Sequence, residues 1–204
     1  MEAYQELVDE IQRDVERLRE ESGGVPCPSD CFSCCRNTST MAISEVEARD
    51  LKVGLEALPV ELRTHIRQKA EQSIKKLKAH GYDAEDIMPD AGMKAIEVVK
   101  GTPEGECPML FGGVCSVYEH RPVICRVWGY PIHNGNELAC CHKTFIGKRR
   151  QFRPLNYTRY WSVCQDLSKE LGATQKTPNC YLVSRLLQTP VSYTHLTLPT
   201  ILRV

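Results

Sequence analysis

The distribution of cysteine constrains this chain more than any other feature of its sequence. The 204 residues include 11 cysteines, and most of them fall into two groups. The early group comprises Cys27, Cys31, Cys34 and Cys35. The later group comprises Cys107, Cys115, Cys125, Cys140 and Cys141. Thiolates that are close in sequence reach one ion without a large entropic cost of loop closure, so the pattern predicts a soft-metal site built from these nine residues.

Zinc and iron are the two metals that such a set of ligands favours. Structural zinc and iron–sulfur clusters both take four thiolates, so we predict zinc or iron as the cofactor, the latter either as an ion or within an iron–sulfur cluster. The spacing matches neither the bacterial ferredoxin run nor the paired C-x2-C of a zinc ribbon. The sequence therefore leaves the choice of metal open.

The adjacent pair Cys34-Cys35 bears on the number of metal ions. Neighbouring side chains point to opposite faces of a strand and diverge by about 100° in a helix, so both reach one ion only with special backbone geometry. Either one of the two faces the packed interior, or two metal ions lie close together with the pair between them. Seven or eight ligands would suit two four-thiolate sites or one multinuclear cluster.

Charge and terminal sequence limit the compartment and the partners. The chain carries 26 basic and 26 acidic residues, so nothing in its overall charge favours nucleic acid or an anionic membrane. Its acidic start has no apolar segment of the kind found in secretory signals, and no apolar run is long enough to span a bilayer. We predict a cytoplasmic protein with reduced thiols, no membrane association, and a metal ion as its principal partner.

Hydrophobic periodicity predicts a mainly α fold. We expect a single domain of about five helices over residues 1–189, with irregular cysteine-rich loops gathered around a metal site. Helix 2–21 has an apolar stripe that could dock on the chain's own core or form a dimer contact. A capping box at Ser44 and Glu47 predicts a helix over 45–57, and Pro59 begins another that ends at His80.

The rest of the chain alternates between irregular and helical sequence. A short helix is predicted near 91–100, and the Gly-, Pro- and Cys-rich residues 101–142 predict turns and short strands. Asn156 can cap a helix over 157–171, and a last helix is predicted near 180–188. The cluster region thus spans 27–141. Residues 190–204 resemble a translated sequencing adapter, so we exclude them and expect the natural C-terminus to be missing.

Three stretches of this sequence resemble the YkgJ-type cysteine-cluster family. They are Cys27-x3-Cys31-x2-Cys34-Cys35, Glu106-Cys107-Pro108-Met109-Leu110, and the run from Cys115 to Arg126 with the pattern CS-x-Y-x2-RP-x2-CR. The resemblance implies a zinc- or iron-chelating domain without an established activity. This chain departs from the family by its x3 gap after Cys27, and both Cys140 and Cys141 fit the further cysteine that the family places downstream.

Residues around the cysteines suggest supporting roles. Arg121 and Arg126 flank Cys125 and could offset the negative charge of a thiolate cluster, or they could simply pair with carboxylates. Gly112-Gly113 predicts a tight turn that returns Cys115 towards Cys107. Two further cysteines, Cys164 and Cys180, lie in apolar helical patterns and are predicted to be buried in the core. Three nearby histidines are more often solvated than metal-bound: His120, His133 and His142.

The sequence supports three functional hypotheses. The first is a metal-binding protein in which the metal clamps two distant loops, so that binding and folding are linked. The second is a metal- or iron–sulfur-dependent enzyme, by analogy with the related module of flagellin lysine N-methylase. The third is a thiol redox sensor. A basic stretch with aromatic residues at 143–159 weakly indicates nucleic acid, which we do not expect as a partner; a protein partner remains open.

Overall fold

The structure is a computed structural model that describes residues 1–24, 31–39, 41–82, 97–172 and 177–178. Several predicted features lie outside these residues. They are Cys27, Cys180, most of the helix at 91–100, the helix at 180–188, and the segment 190–204.

The chain is mainly helical, as its periodicity predicts. The longer helices are α1 (Glu2–Ser22), α2 (Glu45–Glu56), α3 (Val60–Ala79), α4 (Val123–Val127) and α5 (Tyr157–Glu170). Short 3-10 turns occupy Cys34–Asn37, Pro103–Gly105, Tyr118–His120 and Arg149–Gln151. Within the described part of the chain, no helix is both long enough and apolar enough to cross a bilayer.

In the described residues the strands are short and form three two-stranded sheets. The strands are β1 (Ala42–Ile43), β2 (Leu110–Phe111), β3 (Val114–Cys115), β4 (Ile132–Asn134), β5 (Glu137–Ala139) and β6 (Thr177–Pro178). All three pairs are antiparallel: β1 with β6, β2 with β3, and β4 with β5. The region 101–142 therefore contains turns and short strands, as its Gly and Pro content predicts, but it also contains the short helix α4, which that content does not predict.

Helix α1 docks on the protein's own core. Its apolar stripe is buried, with Tyr4, Ile11 and Leu18 almost inaccessible to solvent, and it contacts α4 and α5. The helix ends where Gly23 takes a left-handed conformation with φ 77°, which glycine adopts at no steric cost. The apolar stripe of α1 therefore packs on the chain's own core, as the first of the two alternatives predicts.

Helices α2 and α5 begin at the caps that the sequence predicts. Ser44 and Glu47 form a complete capping box at α2. Asn156 Oδ1 accepts a hydrogen bond from Arg159 N, 3.1 Å away, at the start of α5. Between the two helices, Val46 N donates to Ser168 Oγ over 3.2 Å. Because these caps satisfy backbone N–H groups that have no partner within the helix, they fix where each helix starts.

Two groups of buried apolar residues divide the interior. One joins α2 and α3 to residues 97–117, and it includes Leu51, Ile66 and Cys107. The other joins α1, α4, β4 and α5, and it includes Cys164, which is fully buried. The prediction that Cys164 belongs to the core is confirmed. Helix α2 contributes to both groups, so it connects the part of the fold that holds Cys107 with the part that holds α4.

Helix α2 also approaches the loop before α4 at Gly54. A Cβ at Gly54 would lie 2.7 Å from Cδ2 of His120 and 2.9 Å from its Cβ. The ring of His120 is held there by Asp50, whose Oδ1 lies 3.2 Å from Nδ1. A glycine is therefore required inside this helix, although glycine lowers helix stability by about 1 kcal/mol relative to alanine.

Candidate metal centre

The early cysteine loop is anchored by its aromatic residue. Cys35 N donates to Phe32 O over 3.0 Å, which begins the 3-10 turn Cys34–Asn37. Gly113, at the tip of the β2–β3 hairpin, lies against the ring of Phe32, since a Cβ there would be 3.4 Å from its Cε1, an ordinary contact distance. The guanidinium of Arg36 lies 4.8 Å from the centre of the same ring. The loop thus packs directly on the hairpin that carries Cys115.

Backbone hydrogen bonds join the early loop to the later cysteine region. Cys107 N donates to Cys35 O over 2.6 Å, and Ser39 N donates to Gly105 O over 3.1 Å. A third bond runs from Gly101 N to Asn37 Oδ1 over 2.9 Å. The two cysteine groups, far apart in the sequence, are therefore neighbours in the fold.

The hairpin and α4 bring two more cysteines to this region. Gly112 and Gly113 have φ of 58° and 79°, the left-handed values that a two-residue hairpin turn requires. The turn places Cys115 opposite Leu110, and Ser116 N donates to Met109 O over 2.9 Å. The predicted tight turn is confirmed. Cys125 follows on α4, which starts directly after Pro122.

Five thiols are linked through their electrostatic effects on the pKa values of Cys35 and Cys125, and we call them the central thiols: Cys34, Cys35, Cys107, Cys115 and Cys125. The pKa of Cys125 is raised well above its ordinary value by burial first, and then by negative charge on Cys107, Cys115 and Cys34. As a residue, Cys125 is nevertheless accessible to solvent.

The adjacent pair shares a hydrogen bond that makes its members different. The Cys35 thiol stabilises the thiolate of Cys34 and lowers the pKa of Cys34 to about 6. The same hydrogen bond, followed by burial and by negative charge on Cys34, Cys107 and Cys125, raises the pKa of Cys35. Cys34 is exposed, whereas Cys35 is half-buried and packs on the core beside Cys107. The pair therefore has one solvent-facing and one inward-facing member.

No disulfide joins any of the nine cysteines that the structure describes. Within the same residues, no group of three or more His, Cys, Asp or Glu side chains is arranged closely enough to hold a metal ion. The central thiols are thus gathered in one region without the geometry of a coordination sphere. The donors have the chemistry that zinc or iron requires, but rotation of their side chains would be needed to complete a site.

The remaining described cysteines of the two groups lie at the edge of this region. Cys31 Sγ is 3.8 Å from Ser33 Oγ, and Lys143 Nζ donates to that same Ser33 Oγ over 2.6 Å. Lys143 N in turn lies 3.5 Å from Cys141 Sγ, to which it donates. The loop with Cys140 and Cys141 therefore meets the early loop through Ser33.

Cys140 and Cys141 have different hydrogen-bond partners. The Sγ of Cys140 lies 3.4 Å from Thr144 Oγ1 and 3.7 Å from Gly129 O. Cys141, by comparison, accepts a bond from the exposed Lys143. Both are half-buried, so the choice between them as a further ligand stays open.

The two arginines that flank Cys125 have different environments. The pKa of Cys115 is raised by burial, while a backbone hydrogen bond from Val117 and the positive charge of Arg121 act in the opposite direction. Arg121 also stacks on Tyr118, with its Cζ 3.6 Å from the ring centre. Arg126 is buried and donates to the backbone oxygens of Arg121 and Glu119. The positive charge of Arg121 thus favours the thiolate form of Cys115. Arg126 instead fixes the backbone between Cys115 and Cys125.

The histidines do not join the central thiols in the structure. His120 is bound by Asp50, and both His133 and His142 are exposed. A cavity of about 430 Å³ lies next to His120 and is bordered by Asp50, Arg121 and Arg126. Its lining includes no cysteine. The cavity is therefore separate from the central thiols.

Two charged residues near the thiols carry roles that the sequence does not predict. Lys69 on α3 donates to Leu110 O over 2.9 Å and to Cys107 O over 3.4 Å, and its Nζ lies 3.3 Å from Glu106 Oε2. The second residue is Glu47. Its capping role is predicted from the sequence, but the hydrogen bond that it accepts from Val123 N over 2.9 Å is not. A lone Lys on a helix gives no sequence signal for such a contact, because it depends on tertiary packing.

Replacing Lys69 by Met is expected to loosen the hairpin and the Cys107 loop. The side chain is only 17% exposed, and the variant leaves two backbone oxygens without their charged donor, so we expect a loss of about 1–2 kcal/mol in the free energy of unfolding. Urea denaturation measures it. Lys75→Met, at an exposed position of the same helix, is the matched control. Equal stability of the two variants would contradict the role given to Lys69.

Compared with known proteins, the chain matches no model of a protein family, no curated protein and no solved structure. The resemblance to YkgJ-type proteins therefore stays a prediction from the cysteine spacing and the residues beside it. Any function assigned to the chain has to be argued from the arrangement of its own side chains.

Proposed function

We propose that this chain is a metal-binding cysteine-cluster protein in which zinc or iron joins two cysteine-rich segments that are distant in sequence. The observation that carries the proposal is the bond from Cys107 N to Cys35 O together with the mutual electrostatic influence of the central thiols. Five thiolates in one region would repel each other strongly. A divalent cation removes that repulsion and stabilises the thiolate form of its ligands.

The proposed ligands divide into a central and a supplementary set. The central thiols are the principal ligands, since both segments contribute to them. Cys27, Cys31 and one of Cys140 or Cys141 are supplementary, and they would serve a second ion or a multinuclear cluster. Since a coordination sphere has to be completed by moving side chains, metal binding would be linked to the ordering of both loops.

A reducing cytoplasm is the compartment in which this proposal applies. Thiols persist there as ligands instead of forming disulfides. The alternative of a redox sensor is favoured by one feature, the exposed Cys34 directly beside Cys35. An enzymatic role would require an open coordination position facing a substrate pocket.

The experiment that tests the proposal is metal analysis with an absorption spectrum on protein purified without oxygen. A colourless protein with near-stoichiometric zinc would support a structural zinc site, whereas visible absorption with acid-labile sulfide would support an iron–sulfur cluster. Thiol titration before and after a chelator gives an independent readout, because bound metal protects its ligands. Protein that lacks metal, and whose thiols react equally fast with and without chelator, would refute the proposal.

A further inference from the structure

The segment 143–153 presents an unusual density of positive charge. We call it the basic loop, and its exposed cations are Lys143, Lys148, Arg150 and Arg153. The chain has no acidic residue between Glu137 and Asp166, so nothing nearby in sequence neutralises them. The summed charge raises the local concentration of anionic partners.

The neighbouring cation Arg159 is paired with a carboxylate, whereas the exposed cations of the basic loop are not paired with one among the residues that the structure describes. Arg159 donates to both carboxylate oxygens of Glu10 on α1. In the described part of the chain, no carboxylate oxygen lies within 4.0 Å of a side-chain nitrogen of Lys143, Lys148, Arg150 or Arg153. The acidic face of α1 therefore neutralises the end of the stretch 143–159 and leaves the basic loop to solvent.

Aromatic residues hold the basic loop against the core. The ring of Phe145 lies 5.2 Å from that of Phe152 and 6.1 Å from that of Tyr130. Thr144 Oγ1 donates to Gly129 O over 2.6 Å. Phe145 and Phe152 are half-buried, so their faces are used for packing instead of stacking on bases.

One apolar side chain lies among the exposed cations. Ile146 is 74% exposed, the highest value among the large apolar residues that the structure describes. The chain takes the left-handed conformation on either side of it, at Phe145 with φ 49° and at Gly147 with φ 71°. An exposed isoleucine in a segment of exposed cations suits a partner with both acidic and apolar side chains.

We propose that the basic loop is a docking surface for an acidic polypeptide segment of a partner protein, with Ile146 as its apolar contact. A single-stranded nucleic acid fits less well, because aromatic faces are the stacking platform that such ligands need and the two phenylalanines here are packed against the core. The bond from Lys143 to Ser33 places the surface beside Cys31 and Cys34. A bound segment would therefore lie next to the early cysteine loop. The inference is independent of whether the thiols bind metal.

The test uses the full chain and a fluorescent peptide composed of Glu, Asp and interspersed Leu. We expect binding that weakens as salt is raised, because the contacts are solvent-exposed charges. The double variant Arg150→Glu/Arg153→Glu should lower the affinity at least about tenfold. Its matched control, Lys75→Glu/Lys78→Glu on the exposed side of α3, should bind as the wild type does. Ile146→Ser should weaken binding without changing its dependence on salt.

Several outcomes would overturn the proposal. They are no peptide binding by the wild type, equal losses in both double variants, and tighter binding of a single-stranded oligonucleotide or of vesicles containing anionic lipid. Metal content is measured in every variant. Loss of peptide binding with unchanged metal content would show that this surface is distinct from the proposed metal centre. Absence of metal in all variants would refute the metal centre but would not contradict the docking surface.

Discussion

The Cys125→Ser variant is expected to lose most of its bound metal and to unfold at a temperature about 10 °C below that of the wild type. Negative charge on Cys34, Cys107 and Cys115 raises the pKa of the Cys125 thiol. In the proposed metal centre its removal takes away one of the ligands, and loss of the ion would leave the remaining thiolates repelling one another. Metal analysis and calorimetry on the anaerobically purified variant measure the two effects.

Cys164→Ala is the control that separates metal loss from general destabilisation. Cys164 is fully buried in the other part of the interior, so its truncation should lower stability while leaving the metal content unchanged. A chelator should lower the unfolding temperature of wild-type protein towards that of Cys125→Ser. It should have little effect on Cys125→Ser itself. Full metal content in Cys125→Ser, or equal metal loss in both variants, would contradict the ligand role of Cys125.

Helices α1, α2, α3 and α5 could be predicted because their determinants are local, whereas the short helix α4 lies in a region for which the sequence predicts turns and short strands. The stripe of α1, the capping box of Ser44 and Glu47, and the Asn156 cap each depend on residues within a turn or two of one another. The same applies to the hairpin turn, since Gly112 and Gly113 supply the positive φ that it needs. The predicted bounds differ from the observed ones by a residue or two at the helix ends, where assignments vary.

The candidate site could be predicted only in part. Cysteine spacing identifies the residues, and the expectation of a shared metal brings the two groups together, but spacing does not determine which backbone atoms meet. The bond between Cys107 and Cys35 depends on how α2, α3 and the hairpin pack. The contacts of Lys69 could not be predicted for the same reason. The sequence also could not separate the central thiols from Cys31, Cys140 and Cys141, because the packed fold determines which thiols influence one another.

Glu47→Ala is expected to lower the free energy of unfolding by about 3–4 kcal/mol, since it leaves buried hydrogen-bond donors without an acceptor. One carboxylate oxygen of Glu47 accepts from Ser44 N and Ser44 Oγ, at 2.8 and 2.6 Å, and the other accepts from Val123 N at 2.9 Å. The side chain is 2% exposed, so water does not replace these bonds. One residue thus holds the starts of both α2 and α4.

Because Val123 begins the helix that carries Cys125, the same variant should also weaken metal retention. Urea denaturation and a competition with a chromogenic chelator measure the two effects. Glu47→Gln keeps one amide oxygen as an acceptor and should fall between the wild type and Glu47→Ala. Glu45→Ala, which removes a partly exposed carboxylate 3.6 Å from Arg49, should cost less than about 1 kcal/mol. A Glu47→Ala variant as stable as Glu45→Ala would show that α4 does not depend on this carboxylate, and the link from the α2 cap to Cys125 would then be wrong.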